Sequence, residues 1–313
     1  MRDFLAFGEP LVGFYPDGGS SLADDVPVVK TWGGDTSNFA IGVSRLGHPC
    51  TYLTRVGDDP FGRGFRALWE ANGVDSSRVE TDPDRRTGLY FVSFDGGRHS
   101  LTYYRKDSAA SAFGPEGLEG LPIDEYRCVH LTGISLGMSG SARAAGLELI
   151  RRTCAAGRLV SFDVNYRSAQ WASREAAASA LSGAVGLGVD ILEITDDEME
   201  SLGWGVSLGD IRARFPKVPT IVLKRGKAGV SVAAGGRDFS VPAFEVPVVD
   251  TVGAGDSFDS GFLTAILEGA EPPEAARFGA AAAALTCTGR GPLERMPRRA
   301  EVDSFLRGRA ASS

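Results

Sequence analysis

The chain has 313 residues, enough for one large α/β domain with insertions or for two ordinary domains. Hydrophobic residues make up 43% and charged residues 23%, and no segment reaches the unbroken apolar length of a membrane-spanning helix, so no membrane partner is expected. A formal charge of -7 argues against a nucleic-acid footprint, which needs concentrated Lys and Arg, but leaves room for an anionic small substrate met by locally focused positive charge.

The opening run Met1-Arg2-Asp3-Phe4-Leu5-Ala6-Phe7-Gly8 is too short for a signal peptide and is stopped by Glu9 and Pro10, so it reads as a first strand. Further apolar, β-rich runs predict strands over 51–56, 128–132, 159–164, 190–194 and 220–224. Helical periodicity lies between them over 37–46, 62–72, 141–156, 175–183 and 196–202. This alternation is the pattern of an α/β fold, a mostly parallel sheet flanked by helices, and it places residues 1–313 in one domain. Two stretches, about 11–31 and 87–106, break the rhythm. In the second, Leu89, Phe91 and Ser93 alternate before Asp95-Gly96-Gly97, and Leu101 and Tyr103 alternate after it, the pattern of a hairpin. Both insertions read as antiparallel strands forming a small β-sheet lid. The tail 308–313, rich in small residues, reads as disordered.

Cys50, Cys128, Cys154 and Cys287 are far apart and lack metal or disulfide spacing, which fits reduced thiols in a cytoplasm. The three histidines, His48, His99 and His130, have no metal-ligand spacing and read as structural. Neither G-x-x-x-x-G-K-[ST] nor a G-x-G-x-x-G after the first strand is present, which argues against a P-loop enzyme and a dinucleotide-binding oxidoreductase.

The most informative segment is Asp250-Thr251-Val252-Gly253-Ala254-Gly255-Asp256-Ser257-Phe258. A strand-like apolar run, 244–249, precedes it, and Phe258, Phe262, Leu263, Ile266 and Leu267 follow at helical spacing. A glycine turn feeding a helix start points free backbone N–H groups at one spot, and the helix dipole favours an anion there. Asp256 stands where a carboxylate could take the proton of a hydroxyl beside that anion, the two parts phosphoryl transfer asks of a protein. Alone, Gly253-Ala254-Gly255-Asp256 would be read first as a helix capped by Asp256 after a flexible turn.

This segment resembles the C-terminal signature of the ribokinase-like (PfkB) carbohydrate kinases. Gly33-Gly34 with Asn38 and Ala40, Arg45-Leu46-Gly47 and Gly57-Asp58-Asp59-Pro60-Phe61-Gly62 support it in the family's order, and the resemblance runs from Phe7 to about Gly291. It implies Asp256 as general base, with the amides of Gly253, Ala254 and Gly255 as anion hole. It also places ATP near Lys224, Gly226, Gly229 and Thr195, with Glu198 organising Mg2+ through water. A monovalent cation such as K+ is a further cofactor the family suggests. Thr195 stands where the family carries Asn, and Ala280 where many members place an Asn near the nucleotide.

Tyr103-Tyr104-Arg105-Lys106-Asp107-Ser108 is similar to the lid segment of 2-keto-3-deoxygluconate kinases, and Phe162-Asp163-Val164-Asn165-Tyr166-Arg167 to their sheet-edge segment. By that resemblance Gly34, Asn38, Tyr90, Tyr103, Arg105 and Arg167 line a sugar site, with arginine forks suited to a sugar carboxylate. The expectation is ATP-dependent phosphorylation of the terminal 6-hydroxyl of 2-keto-3-deoxygluconate. Fructokinase is the nearest alternative, since fructokinases share the Gly-Glu start, a lid Arg and an Asn-x-Arg segment; a non-catalytic sugar sensor is a more distant one. Related kinases pair through such lids, so a homodimer or higher homo-oligomer is expected, with no nucleic-acid partner.

Overall fold

The computed structural model describes residues 1–95 and 98–310. Its strands are β1 (Arg2–Phe7), β2 (Leu11–Pro16), β3 (Val28–Gly33), β4 (Cys50–Gly57), β5 (Val79–Asp82), β6 (Gly88–Asp95), β7 (Arg98–Tyr104), β8 (Tyr126–Thr132), β9 (Leu159–Asp163), β10 (Ile191–Thr195), β11 (Thr220–Lys224), β12 (Val230–Ala234) and β13 (Arg237–Val241). Its helices are α1 (Asp35–Arg45), α2 (Pro60–Ala71), α3 (Gly133–Gly137), α4 (Gly140–Ala155), α5 (Arg174–Val185), α6 (Asp196–Leu202), α7 (Leu208–Arg214), α8 (Ala254–Leu267), α9 (Pro272–Thr286) and α10 (Arg299–Ala310).

The large sheet runs β13-β12-β11-β10-β9-β8-β1-β4-β5. It is parallel from β11 to β5, with β12 and β13 added antiparallel at one edge. Successive side chains on β1 face opposite ways: Phe4 and Ala6 join the core beneath α1, α8 and α9, whereas Leu5 and Phe7 join the core beneath α4 and α5. All four are fully buried, and each large apolar side chain removed from water in this way contributes about 1.5–3 kcal/mol. Both faces of the sheet are therefore covered, which is why its strands read as nearly unbroken apolar runs rather than as alternation.

The second sheet, β3-β2-β6-β7, is the expected lid. Its two hairpins are antiparallel as anticipated, but they join through a parallel pair, with Leu11 opposite Gly88 and Gly13 opposite Tyr90. The reason is topological: the chain between β2 and β6 passes through α1, β4, α2 and β5, a crossover that returns it running the same way. One lid face buries Leu11, Tyr15, Tyr90 and Val92. Val28, Val29, Leu101 and Tyr104 are exposed. The expected turn at Gly96-Gly97 lies outside the described residues.

Two other expectations fail. Residues 244–249 form no strand, because Pro242 and Pro247 remove ladder donors, and the run instead packs Phe244 against Phe305. Residues 308–310 close α10 instead of fraying, while 311–313 lie outside the described residues. No helix among the described residues is long and apolar enough to cross a membrane. Of the histidines, His130 is buried against Phe39, and His48 bridges Asp3 and Glu268; the side chain of His99 lies outside the described residues.

Candidate active site

The carboxyl ends of β1, β8, β9, β10 and β11 meet the N-termini of α1 and α8, the place where open α/β sheets bind ligands. Gly253 begins α8 with φ of 81°, and a Cβ there would come within 2.4 Å of Pro292, so both conformation and space demand glycine. Asp250 braces the turn by accepting from the amides of Val252 (3.0 Å) and Gly291 (2.8 Å). The Ala254 amide donates back to Thr251 O at 3.2 Å. The amides of Gly255 and Asp256 also precede the first helical hydrogen bond of α8, which runs from the Ser257 amide to Gly253 O.

The Asp256 carboxylate accepts from Asn38 Nδ2 at 2.7 Å, linking the two helix starts. Enclosure by protein, followed by the charge of Asp35, pushes Asp256 up to about 8. Asp35 is the principal residue that the sequence reading missed. It is buried, its Oδ2 accepts from Thr132 Oγ1 (2.5 Å) and Asn165 Nδ2 (3.2 Å), and its Oδ1 finds no hydrogen-bond partner among the described residues. The signal was there: a carboxylate directly after Gly33-Gly34. Gly34 has φ of 97°, and a Cβ there would lie 2.3 Å from Glu9 O. The turn thereby brings Asp35 beside the end of β1.

The lid carries Tyr90 and Tyr103, two residues expected at a sugar site, and Arg105 follows its last strand. Tyr90 is buried, with its hydroxyl 3.4 Å from that of Tyr15; its ring lies 6.3 Å from that of Tyr103, and the Arg105 guanidinium sits 5.9 Å from the Tyr103 ring centre. Arg105 is ion-paired with the buried Glu9, a partner not anticipated, and Ser108 Oγ donates to the same carboxylate at 2.5 Å. Burial raises Glu9 above the usual carboxylate range, although Arg105 and Ser108 pull the other way. With its amide oxygen turned toward the guanidinium, Gln170 accepts from Arg105 at 2.5 and 3.1 Å.

Arg167 is placed differently: its NH1 donates to Tyr166 O (2.9 Å) and lies 3.3 Å from Glu198 Oε1, while the side chain stays 44% exposed and keeps donors free. Glu198 and Thr195 form a capping box at the start of α6: Thr195 N donates to Glu198 Oε2 and Glu198 N to Thr195 Oγ1. Glu198 Oε1 also accepts from Tyr166 N at 3.0 Å. Both carboxylate oxygens are thus held by backbone amides, which fits a residue that orients magnesium-bound waters better than one that ligates the metal directly.

Gly226 and Gly229 flank the short turn between β11 and β12, beyond the sheet's carboxyl edge. Lys224, expected on the nucleotide side, points into the protein. Its Nζ bonds Asp259 Oδ1 (2.9 Å) and Asp163 Oδ2 (3.1 Å) and lies 3.7 Å from Glu193 Oε2. Ala280 is buried on α9.

Residues 6–299 match the pfkB family of carbohydrate kinases. The chain is 33% identical to a 2-dehydro-3-deoxygluconokinase of Thermoproteus tenax, over 98% of this chain and 95% of that protein. It is 34% identical to fructokinase-1 of Zea mays, over 95% of each. An Escherichia coli protein solved in complex with ATP and Mg2+ superposes with a TM-score of 0.89 at 26% identity, over 98% of this chain and all of that one.

Proposed function

Because this chain belongs to the PfkB family of carbohydrate kinases, we propose that it transfers the γ-phosphoryl group of ATP to the terminal 6-hydroxyl of 2-keto-3-deoxygluconate. The observation that carries the kinase reading is the Asp256–Asn38 contact beside the free amides of α8, beneath a lid that presents Tyr103 and Arg105. Asp256 accepts the hydroxyl proton as the oxygen attacks phosphorus. The Gly255 and Asp256 amides receive the negative charge of the transferring group, and their fixed direction means that no reorganisation is needed as charge builds. Asn38 holds the carboxylate toward the hydroxyl. Thr195, Gly226 and Gly229 border the nucleotide. Magnesium, when bound, neutralises charge on the nucleotide phosphates, and Glu198 would hold its waters.

The substrate acid is met by the free donors of Arg167 and the remaining donors of Arg105, with Tyr90 and Tyr103 shaping the apolar walls. A second reading, fructokinase, draws on a specific observation: Glu9 already neutralises Arg105, and the unpartnered oxygen of Asp35 suits a neutral sugar hydroxyl. Magnesium-dependent ADP release across 2-keto-3-deoxygluconate, its galactonate epimer, fructose and ribose separates the two. Preference for the keto-deoxy acids in kcat/KM supports the acid reading, preference for fructose overturns it in favour of the second, and silence on every sugar overturns both. Repeating the assay without K+ tests the monovalent-ion requirement.

A further inference from the structure

Lys224 is the one residue expected beside the nucleotide whose charged end is enclosed by acids. An ammonium has three N–H donors; two go to Asp163 and Asp259, and the third faces Glu193. The lysine side chain is only 10% exposed, and all three acids are buried. They come from three elements: Asp163 from the end of β9, Glu193 from the middle of β10, and Asp259 from α8, three residues after Asp256. The catalytic turn lies next to this cluster, since a Cβ on Gly255 would sit 3.8 Å from Lys224 Nζ.

Helix α8 has no side-chain cap at its N-terminus, and Asp250 braces only the turn before it, so contacts farther along the helix help set its position over the sheet. We propose that Lys224 is a positioning residue: through Asp259 in the second turn of α8 it ties the start of that helix, and with it Asp256 and the free amides, to β9 and β10, and it does not contact the nucleotide phosphates. This rests on the kinase reading of the site.

Three carboxylates around one ammonium leave a formal excess of negative charge, and burial drives all three carboxyl groups upward while they in turn raise Lys224. Such a network holds only when complete, because removing one member leaves buried charge uncompensated. Its charge also reaches the base. The groups facing Asp256 are Asp35 and Asn38 from α1, Asp259 from its own helix and Asp163 from β9, and the three acids all raise it. Lys224, on β11, is the cation that offsets two of them.

The test compares Lys224→Met with Lys224→Met/Glu193→Gln, in which the new amide can donate to the remaining acids and also removes one charge. Calorimetry with magnesium-ATP and no sugar, unfolding temperature, and the pH profile of kcat/KM are read for each. The single variant is expected to bind ATP as the wild type does and to lose about 10²-fold in kcat, the scale of a misplaced reacting group. Its acid limb should move to higher pH. The double variant should recover most of the lost kcat and return the limb, and should carry the test by itself if the single variant does not fold. A tenfold or greater loss of ATP affinity in the folded variants, unrescued by Glu193→Gln, would show that Lys224 is a phosphate ligand and overturn the proposal; so would unchanged kcat and pH profile. The calorimetric arm reads independently of sugar turnover, so a wild type that binds ATP but phosphorylates nothing overturns the kinase reading separately from the role of Lys224.

Discussion

The floor of the site and its lid solve different problems with the same residue types. On the floor, charged groups are crowded: Asp163, Glu193 and Asp259 are buried around Lys224, and half-buried Asp256, held by Asn38, lies beside them with buried Asp35. On the lid, charge is used sparingly. Arg105 meets Glu9 at its root, and the rest of the inner face is Tyr15, Tyr90 and Val92. Crowding acids raises a carboxyl toward neutrality, which prepares a base; isolating one guanidinium among aromatic rings prepares a specific contact. Chemistry should therefore break when the floor is altered, and substrate choice when the lid is.

The largest effect should come from Asp256→Asn, which keeps the Asn38 neighbourhood but removes the proton acceptor. Turnover should fall about 10²–10⁴-fold with ATP binding retained, measured by coupled ADP release and calorimetry. Near-normal turnover would remove the floor from the chemistry. Next, Arg105→Gln should lower kcat/KM for a keto-deoxy acid by about 10²-fold, the scale of a lost charge-assisted contact, while changing fructose less. Equal losses on both sugars would mean that Arg105 serves only to balance Glu9, and the contrast between floor and lid would collapse.

The pH dependence sharpens the same comparison. Asp256 must be ionised to accept a proton, and its carboxyl is pushed up to about 8, so kcat/KM should climb with pH and level off above that value. Asp35→Asn removes the neighbouring negative charge that raises it most and should shift the limb downward by about one pH unit. A limb that stays in place would show that Asp35 does not tune the base.

Stability carries the opposite sign. A carboxyl whose folded pKa lies above its unfolded value supports the fold at low pH and ceases to do so as pH rises through the folded value. Asp256→Asn should accordingly raise the unfolding temperature by roughly a few degrees at pH 8, with the difference vanishing near pH 4. The smallest effect on chemistry should come from the outer lid. Tyr104→Glu should leave kcat nearly unchanged but convert any dimer to monomer in sedimentation, because this side chain is exposed and faces away from Tyr103 and Tyr90. A wild type sedimenting only as monomer would remove that role for the lid.

The glycine turn, the carboxylate that follows it and the alternation of strand and helix were legible in the sequence because each depends on neighbours along the chain. Gly253 needs its backbone conformation whatever packs nearby, and Phe258, Phe262 and Leu263 mark a buried helix face by spacing alone. Residues 244–249 carry the apolar content of a strand, but Pro247 within the run and Pro242 before it remove the donors that a ladder needs.

What the sequence alone determined is the set of local preferences: which segments turn, which bury a face, and which turn can hold an anion. Only the tertiary structure decided which distant charges meet. Lys224 and Asp259 lie 35 residues apart, Arg105 and Glu9 96 apart, and Asp35 and Asn165 130 apart. Nothing in the spacing of those residues predicts the contact, because it is made by strands laid side by side and helices docked over their ends. The family resemblance puts the same lysine near the nucleotide, and in space it is the centre of a buried acid cluster, since charge is local to a residue but its neutralisation is a property of the fold.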